Sequence, residues 1–347
     1  MRVLSIVGAR PQFIKHAVIQ RKFKEYGISE VLLHTGQHFD LNMSEIFFES
    51  LHLSPPQIHL QIPSTSSLSQ LSMMLELMQE KLKEARFDYV LVYGDTTSTL
   101  AGSLFAKEMG YALVHIEAGL RSYDMRMPEE RNRIVCDHLS DVLFAPNKSA
   151  VENLKNEGVR GEIVLSGDVM EEGFEVFLPL ACKPSEVEIP LEFIFCTLHR
   201  QSNVDDKQRL EFLLNGLGEV AEQTPIVLAL HPRTKKRIEE FSLTLPKNLI
   251  ILPPQGYLQT LWLISHSQMV FSDSGGVQKE AVFGGKKCLV LREVSEWVEL
   301  VESGACELLG ERSILEAYKE MKDKSLPYPK RETLISDLII KYLLQRG

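Results

Sequence analysis

Carboxylates and guanidinium groups alternate along one short stretch of this sequence, from Glu117 to Arg133. Glu117 directly follows Ala112–Ile116, an apolar run typical of a buried strand. Mixed charges of this kind also occur on solvated helix surfaces. A carboxylate at the C-terminal end of a strand, however, lies where ligands bind in α/β sheets, and guanidinium groups suit planar anions such as phosphate. We therefore predict a ligand site here, with Arg121 and Arg126 as candidate anion contacts.

Polar residues also follow the other apolar runs in the first part of the chain. Arg10 and Lys15 come after the first run, Gln37 after the second and Asp95 after the third. Each has an ordinary structural interpretation, since Asp commonly caps a helix and Lys commonly lies on a solvated face. Asp95 and Glu117 nevertheless follow consecutive strands, and two carboxylates in different surroundings can divide acid and base roles. We predict that they do so here.

The second part of the chain repeats this placement. His199 and Arg200 follow one apolar run, and His231 follows the next. A histidine is a candidate proton carrier near neutral pH, although a lone histidine is more often structural. The strongest local pattern is a strand that ends in a Ser-Gly-Gly turn before a helix. Backbone N–H groups at such a helix start can bind phosphate, so we favour an anion site over the alternative of a plain glycine-rich turn. The predicted ligand residues of this turn and helix are Ser274, Gly275, Gly276 and Glu280.

Strand and helix patterns alternate through most of the sequence, which is typical of parallel sheets covered by helices on both faces. The alternation lapses at residues 178–190, where three prolines and no periodicity predict a linker. We predict an α/β fold of two Rossmann-like, doubly wound domains, residues 1–177 and 191–330, with an interdomain cleft at the C-terminal ends of the strands. Residues 331–347 carry one apolar helical stripe, and this helix is expected to pack back on the first domain.

Composition narrows the function further. A net charge of −9 and a pI near 5.7 argue against a nucleic-acid partner. The first apolar run is too short for a signal peptide and no run is long enough for a membrane span, so we expect no membrane association. The five cysteines are scattered without a CxxC pair, which favours reduced thiols, a cytoplasmic protein and no metal site. The first strand ends in GARP rather than GxGxxG, so a nicotinamide cofactor is not expected.

Taken in order, the motifs GARPQFIK, HTGQH, YGDT, HIEAGLRS, MPEERNR, HPR and DSGG-Q-EA resemble those of the non-hydrolysing UDP-N-acetylglucosamine 2-epimerase family. The resemblance covers Arg2 to about Gly310. It implies two Rossmann-like domains of the glycosyltransferase B type, a UDP-sugar substrate, no cofactor and a homodimer. It also implies a mechanism in which UDP leaves C1 as C2 loses its proton, and then adds back to a 2-acetamidoglucal after protonation from the other face.

The same resemblance assigns roles to individual residues. The positions that match the family's catalytic residues are Asp95, Glu117, Glu129 and His199. Those that match its UDP-contacting positions are Arg10, Lys15, Arg133, Arg200, Ser274, Gly275, Gly276 and Glu280. We add Gln37 and His231 to the expected substrate-binding set because each lies in a turn that follows a strand.

Three departures from the common family pattern bear on the substrate. Gln12 replaces a glutamate, Trp297 replaces an arginine of the ligand-binding set, and Thr260 stands where an aromatic near uracil is expected. GARPQFIK and EWVEL instead resemble the branch that acts on UDP-2,3-diacetamido-2,3-dideoxyglucuronate, a surface polysaccharide precursor. Loss of a negative charge at Gln12 would fit a substrate with an extra carboxylate. The expected substrate is therefore this uronate or UDP-GlcNAc.

Three other functions stay open at this stage. A hydrolysing 2-epimerase would release free sugar and UDP, and differs only in that water captures the intermediate. A glycosyltransferase of the same fold would need an acceptor site, and it would leave the carboxylates Asp95, Glu117 and Glu129 without a purpose. A non-catalytic nucleotide-sugar sensor would bind without turnover.

Overall fold

The computed structural model describes residues 1–37, 48, 51–63, 65–295, 297–322, 324, 326 and 334–346. His38 of the HTGQH motif and residues 331–333 and 347 of the predicted terminal helix lie outside these ranges. The chain forms two compact units. The N-terminal unit comprises Met1–Gly173 and Arg331–Gly347, and the C-terminal unit comprises Phe174–Lys330.

The N-terminal unit is built on a parallel sheet of seven described strands in the order β3-β2-β1-β4-β5-β6-β7. The strands are β1 (Arg2–Val7), β2 (Ser29–His34), β3 (Ile58–His59), β4 (Tyr89–Tyr93), β5 (Ala112–Ile116), β6 (Val142–Ala145) and β7 (Glu162–Leu165). The central strands β4 and β6 are buried along their whole length, as expected for a parallel sheet covered on both faces.

Helices connect these strands and cover the sheet. They are α1 (Arg10–Glu25), α2 (Ser67–Leu82), α3 (Thr97–Glu108), α4 (Pro128–Leu139), α5 (Lys148–Asn156) and α6 (Val169–Phe177), whose last four residues belong to the C-terminal unit. The starts of α1 to α5 agree with their local sequences. Pro11 and Pro128 occupy the first turns of α1 and α4, where a missing N–H costs no hydrogen bond, and the Ser66, Thr96 and Asn147 side chains cap α2, α3 and α5.

The C-terminal unit repeats this plan with six described parallel strands in the order β10-β9-β8-β11-β12-β13. The strands are β8 (Ile194–Leu198), β9 (Ile226–Leu230), β10 (Leu249–Leu252), β11 (Met269–Ser272), β12 (Cys288–Val290) and β13 (Cys306–Leu308). The helices are α7 (Gln201–Val204), α8 (Lys207–Ala221), α9 (Pro232–Glu240), α10 (Tyr257–His266), α11 (Gly275–Phe283), α12 (Val298–Glu302) and α13 (Ile314–Lys322).

The predicted linker, residues 178–190, falls within the C-terminal unit. Leu178–Leu180 form a 3₁₀ turn, and the N–H of Cys182 donates to the carbonyl of Leu258 in α10. The Lys183 ammonium lies 5.7 Å from the Trp262 ring centroid of the same helix. Prolines exclude regular structure here, but the segment is still fixed because α10 offers it hydrogen-bond and aromatic partners.

The last helix, α14 (Ile335–Arg346), belongs to the N-terminal unit. Its apolar stripe is buried through Ile335, Ile339 and Leu343. The Tyr26 hydroxyl after α1 donates to Asp337 at 2.6 Å. These contacts join the end of the described chain to the helix that follows β1.

Candidate active site

Several of the predicted site residues lie at the point in each sheet where the strand order reverses, and others follow the neighbouring strands. In the N-terminal unit β1 and β4 are neighbours, with Arg10 at the start of α1 and Asp95 just after β4. In the C-terminal unit β8 and β11 are neighbours, with His199 after β8 and Ser274 after β11. Ligands bind at this topological switch point in open α/β sheets, because the loops diverge there and leave room between them.

Glu117 and Lys15 form a close ion pair at the end of β5. The Lys15 ammonium donates to Glu117 Oε1 at 2.6 Å, and their side chains are only 6% and 13% exposed. Glu117 has a φ of +70°, a left-handed conformation that is uncommon for a glutamate. An added Cβ on Gly94, at the end of β4, would lie 3.3 Å from the Lys15 ammonium. The pair therefore lies directly over the β4 turn, in a strained backbone of the kind that clusters at functional sites.

Asp95 has a different cation. Its carboxylate pairs with the Arg133 guanidinium, and its backbone carbonyl accepts from the Asn132 amide at 2.9 Å. Arg133 also donates to Glu130 at 2.6 Å. Asp95 and Glu117 are thus held by separate cations at the ends of adjacent strands.

Glu130 is a buried support for the loop before α4. Its two oxygens accept from the N–H groups of Tyr123 at 2.8 Å and Ser122 at 3.0 Å. Burial raises the pKa of Glu130, but these hydrogen bonds and the Arg133 charge outweigh burial and leave the pKa below its ordinary value. The neighbouring Glu129 is exposed in the first turn of α4, and its catalytic role stays a prediction.

Gln12 is a structural residue, contrary to the suggestion that its lost charge favours a substrate carboxylate. Its Oε1 accepts from the N–H groups of Gly8 at 2.8 Å and Ala9 at 3.0 Å. Its Nε2 donates to the Tyr93 carbonyl at 2.8 Å and to Thr99 Oγ1 at 3.0 Å. The amide joins the β1 turn to the end of β4 and to α3, and a carboxylate could not make the two donations.

Gly8, after β1, and Gln37, after β2, both lie against Ser98 of α3. An added Cβ on Gly8 would lie 2.1 Å from the hydroxyl oxygens of both Thr35 and Ser98, so only glycine fits. Gln37 Oε1 accepts from the Ser98 N–H at 2.9 Å and from the Ser98 hydroxyl at 2.6 Å. The side-chain oxygen of Gln37 therefore holds the start of α3. The contact of Gln37 with substrate stays a prediction.

The two arginines first suggested as anion contacts have protein partners instead. Arg121 donates to Asp137 and to Glu157, each at 2.7 Å, and its side chain is buried. Arg126 pairs with Asp124 and is 91% exposed. The expectation for both residues was wrong. Arg121 is neutralised by a partner on α4 and another after α5, and Arg126 is held by a partner two residues away in its own loop.

Asp273, which we did not predict as a site residue, organises the start of the C-terminal unit's site. It is fully buried after β11. Its carboxylate accepts from the N–H groups of His199 at 3.0 Å and Arg200 at 2.8 Å, and from the Asn203 amide at 3.1 Å. The position of Asp273 directly before the Ser-Gly-Gly turn was visible in the sequence, but its partners lie some seventy residues away.

His199 and His231 lie side by side, with ring centroids 5.2 Å apart. Burial lowers the pKa of His199, and Arg200 and Arg233 lower it further, while Asp273 opposes them. Burial and the neighbouring His199 likewise lower the pKa of His231. The lowered pKa keeps the His199 ring mostly uncharged near neutral pH, so a ring nitrogen is available to accept a proton.

The Ser-Gly-Gly turn begins α11, with Ser274 at the N-cap position. Among the described residues, the Ser274 side chain has no capping hydrogen bond, and no atom lies within 4 Å of a Cβ added on Gly276. The Trp297 indole donates to the Gly275 carbonyl at 2.9 Å, and the Lys279 ammonium lies 4.0 Å from the Trp297 ring centroid. The tryptophan thus supports the turn from behind and leaves the helix start as a suitable anion site.

Two remaining predicted residues also lie on helices of this unit. Glu280 is buried on α11, and its contact with a ribose stays a prediction. Thr260 lies on α10, and its hydroxyl donates to the Gly256 carbonyl at 2.8 Å.

Across the residues that the structure describes, no group of three or more histidine, cysteine or acidic side chains could hold a metal ion. None of the described helices has the length and apolar character of a membrane span.

Two Rossmann-like α/β sheets with charged and glycine-rich turns at their switch points define a protein of the glycosyltransferase B fold class, as predicted. The family model for UDP-N-acetylglucosamine 2-epimerase matches residues 21–335. The chain belongs to this family, which confirms the resemblance found in the motifs.

Individual relatives agree with this assignment. A Pseudomonas aeruginosa protein named UDP-2,3-diacetamido-2,3-dideoxy-D-glucuronate 2-epimerase is 46% identical over 315 residues, covering 89% of this chain and 88% of the relative. A Methanocaldococcus jannaschii UDP-GlcNAc 2-epimerase, solved with UDP-GlcNAc and UDP, is similar at a TM-score of 0.86 and 36% identity, with both chains covered completely. The Neisseria meningitidis enzyme bound to UDP-GlcNAc has a TM-score of 0.84 and 29% identity, with 99% of this chain and 100% of that chain covered.

Proposed function

We propose that this chain is a non-hydrolysing UDP-sugar 2-epimerase, an isomerase that inverts C2 of a UDP-N-acetylhexosamine. One observation carries the proposal: Asp95 and Glu117 follow adjacent strands and are held by different cations, Arg133 and Lys15. Inversion of C2 needs a base on one face of the sugar and a proton donor on the other. Two carboxylates in separate surroundings suit that division of roles.

The proposed reaction is an elimination followed by an addition. A carboxylate takes the C2 proton, the C2–H electron pair forms a C1–C2 double bond, and the C1–O bond breaks with its electron pair on UDP. In the return step the double bond takes a proton at C2 from the opposite face, and a UDP oxygen bonds to C1. The sugar gains and loses no electrons overall, so the reaction needs no redox cofactor.

The residues divide this work between the two units. Asp95, Glu117 and Glu129 of the N-terminal unit would exchange the C2 proton. The Ser274–Gly276 turn would bind the diphosphate through first-turn N–H groups of α11. His199 would exchange a proton with the leaving phosphate oxygen. Its lowered pKa makes the uncharged ring the main form near neutral pH, so the ring would take up a proton before it donates one.

For the substrate, we propose UDP-2,3-diacetamido-2,3-dideoxy-D-glucuronate in preference to UDP-GlcNAc. The relative of that name is 46% identical to this chain, against 38% for an M. jannaschii UDP-N-acetylglucosamine 2-epimerase. Trp297 also supports the proposal, since it occupies the position of an expected ligand-binding arginine and here packs behind the phosphate-type turn. The product would be the manno epimer, a precursor of surface polysaccharide such as lipopolysaccharide.

Proton NMR in D2O tests the activity with each UDP-sugar in turn. A manno-configured UDP-sugar with deuterium at C2 is the expected product. Free sugar and UDP would instead indicate the hydrolysing reaction, and folded protein that exchanges C2 in neither substrate would refute the proposal. Asp95→Asn should lower turnover by about 10² to 10⁴. The matched control is Asp124→Asn, in an exposed pair with Arg126, which should leave turnover unchanged.

We further propose that the protein acts as a homodimer in the cytoplasm. A reducing compartment is supported by Cys288 and Cys306, which are direct partners on β12 and β13 and are both free thiols. Light scattering after size-exclusion chromatography tests the dimer, and a monomeric mass at working concentration would refute it.

A further inference from the structure

A buried polar cluster lies beneath the two catalytic carboxylates and has no role in the reaction described so far. It consists of His115 on β5, Asp137 on α4 and Arg121 in the loop between them. The side chains of His115 and Asp137 are fully buried, and that of Arg121 is nearly so. Three ionisable groups in this position are costly unless each has a function or a partner.

His115 uses both ring nitrogens. Its Nδ1 lies 2.7 Å from Asp137 Oδ1, and its Nε2 lies 2.7 Å from the Gly94 carbonyl oxygen. The Gly94 carbonyl can only accept, and Asp137 is held as a carboxylate because its Oδ2 accepts from Arg121 and from the Gly119 N–H. Each ring nitrogen of His115 must then donate, and only the doubly protonated imidazole has two donors. A neutral ring would leave one nitrogen lone pair against an oxygen at hydrogen-bond distance.

The charges of the cluster agree with a protonated ring. Asp137 faces His115 and Arg121, and Arg121 also faces Glu157 beyond α5. With His115 protonated, two cations balance two carboxylates. The other charged groups near this region are the Lys15–Glu117 pair above the β4 turn, Asp95 with Arg133, and His138, which lies 3.6 Å from Glu157.

The cluster connects the two catalytic segments. The Gly94 carbonyl that His115 holds belongs to the residue before Asp95, whereas Asp137 Oδ2 accepts from the N–H of Gly119, two residues after Glu117, at 3.1 Å. Helix α4 reaches Asp95 a second time through the Asn132 amide. The buried His115–Asp137 pair therefore links the residue before Asp95 to the segment that follows Glu117.

We propose that His115, kept doubly protonated by Asp137, is a positioning residue that sets the spacing of Asp95 and Glu117. The inference rests on the proposed function for its catalytic consequence but not for the protonation state of the ring. His115 touches no reacting atom. It acts through the Gly94 carbonyl and, by way of Asp137, through the Gly119 N–H.

Two substitutions separate the contacts of the ring. His115→Asn keeps a donor near Nδ1 for Asp137, and His115→Gln keeps a donor near Nε2 for Gly94. Each loses the other contact, so kcat should fall by about 10²-fold, the cost of an approximately 1 Å misplacement, while KM stays within about threefold. His16→Gln is the matched control because His16 is fully buried in the same unit but contacts Tyr93 and Gln20 instead. It should lower the Tm and leave kcat within about threefold.

Nitrogen-15 NMR of histidine-labelled wild-type protein at pH 7.5 gives a second measurement that needs neither substrate nor a variant. Two protonated ring nitrogens, assigned to His115 through contacts with Gly94, are expected. A single protonated nitrogen would overturn the proposal, as would an unchanged kcat in both His115 variants or an equal kcat loss in His16→Gln. If wild-type protein shows the doubly protonated ring but no C2 exchange, the proposed function fails and the protonation state of the ring stands.

Discussion

Asp273→Asn should destabilise the C-terminal unit and slow the reaction. The buried carboxylate accepts from three N–H donors, on His199, Arg200 and Asn203, at 3.0, 2.8 and 3.1 Å. Hydrogen bonds to a charged group contribute about 1 kcal/mol more than neutral ones, so the loss of charge costs roughly 3 kcal/mol. For a unit of this size that corresponds to a Tm lower by about 6 to 12 °C.

The effect on catalysis follows from the same contacts. Asp273 fixes the backbone N–H of His199 and Arg200, and an amide nitrogen in place of one oxygen would face donors. A shift of the proton carrier by about 1 Å would lower kcat about 10²-fold. Circular dichroism melting and the C2 exchange assay measure the two effects.

Asp206→Asn is the matched control for this substitution. Asp206 is exposed and caps α8 by accepting from the Arg209 N–H at 2.7 Å, and asparagine caps a helix equally well. The control should therefore melt and turn over as wild type. If Asp273→Asn melts within about 2 °C of wild type and retains its kcat, the assigned role of Asp273 is wrong.

Three further predictions concern other residues of the site. Gln12→Glu should lower the Tm, because a carboxylate loses two buried hydrogen-bond donations worth about 1 kcal/mol each. It should not change the ratio of kcat/KM between the two UDP-sugars. A changed ratio would restore a specificity role for this position. Gly8→Ala should lower the free energy of unfolding by about 1 to 3 kcal/mol, because the new Cβ overlaps two hydroxyl groups. The control Gly276→Ala should keep the wild-type Tm. Equal Tm values for the two variants would show that the Gly8 turn can relax. Burial lowers the pKa of His199, so the stability that this group contributes is complete above its unfolded pKa of about 6.5 and is lost as the pH falls through the lower folded pKa. At pH values below 6.5 the Tm should therefore decrease less steeply with falling pH in His199→Gln than in wild type. Parallel Tm profiles of the two proteins would contradict this.

The strands that were easiest to predict are those with continuous apolar runs. The apolar run Ala112–Ile116 forms a strand with the predicted bounds, and the runs Tyr89–Tyr93 and Ile226–Leu230 form strands in the same way, because strands buried on both faces need apolar side chains throughout. We did not predict Ile58–His59, which has two residues, or the largely exposed edge strand Glu162–Leu165. Their pairing depends on a neighbouring strand rather than on their own pattern.

The sequence by itself determined the family, the fold class and the segments that carry the site. Strand ends are local features, since an apolar run followed by a polar turn and a helix start is encoded within about ten residues. The placement of Asp95, Glu117, His199 and the Ser-Gly-Gly turn at strand ends could therefore be read directly.

Only the tertiary structure decided which charged groups have protein partners that support the candidate site. Arg121 looked like an anion contact until Asp137 and Glu157 were found beside it, and Gln12 looked like a specificity change until its four hydrogen bonds were known. The partners of Asp273 and His115 lie on other strands and helices of the same unit. A buried polar group is stable only with a partner, and that partner comes from the fold rather than from neighbouring residues in the chain.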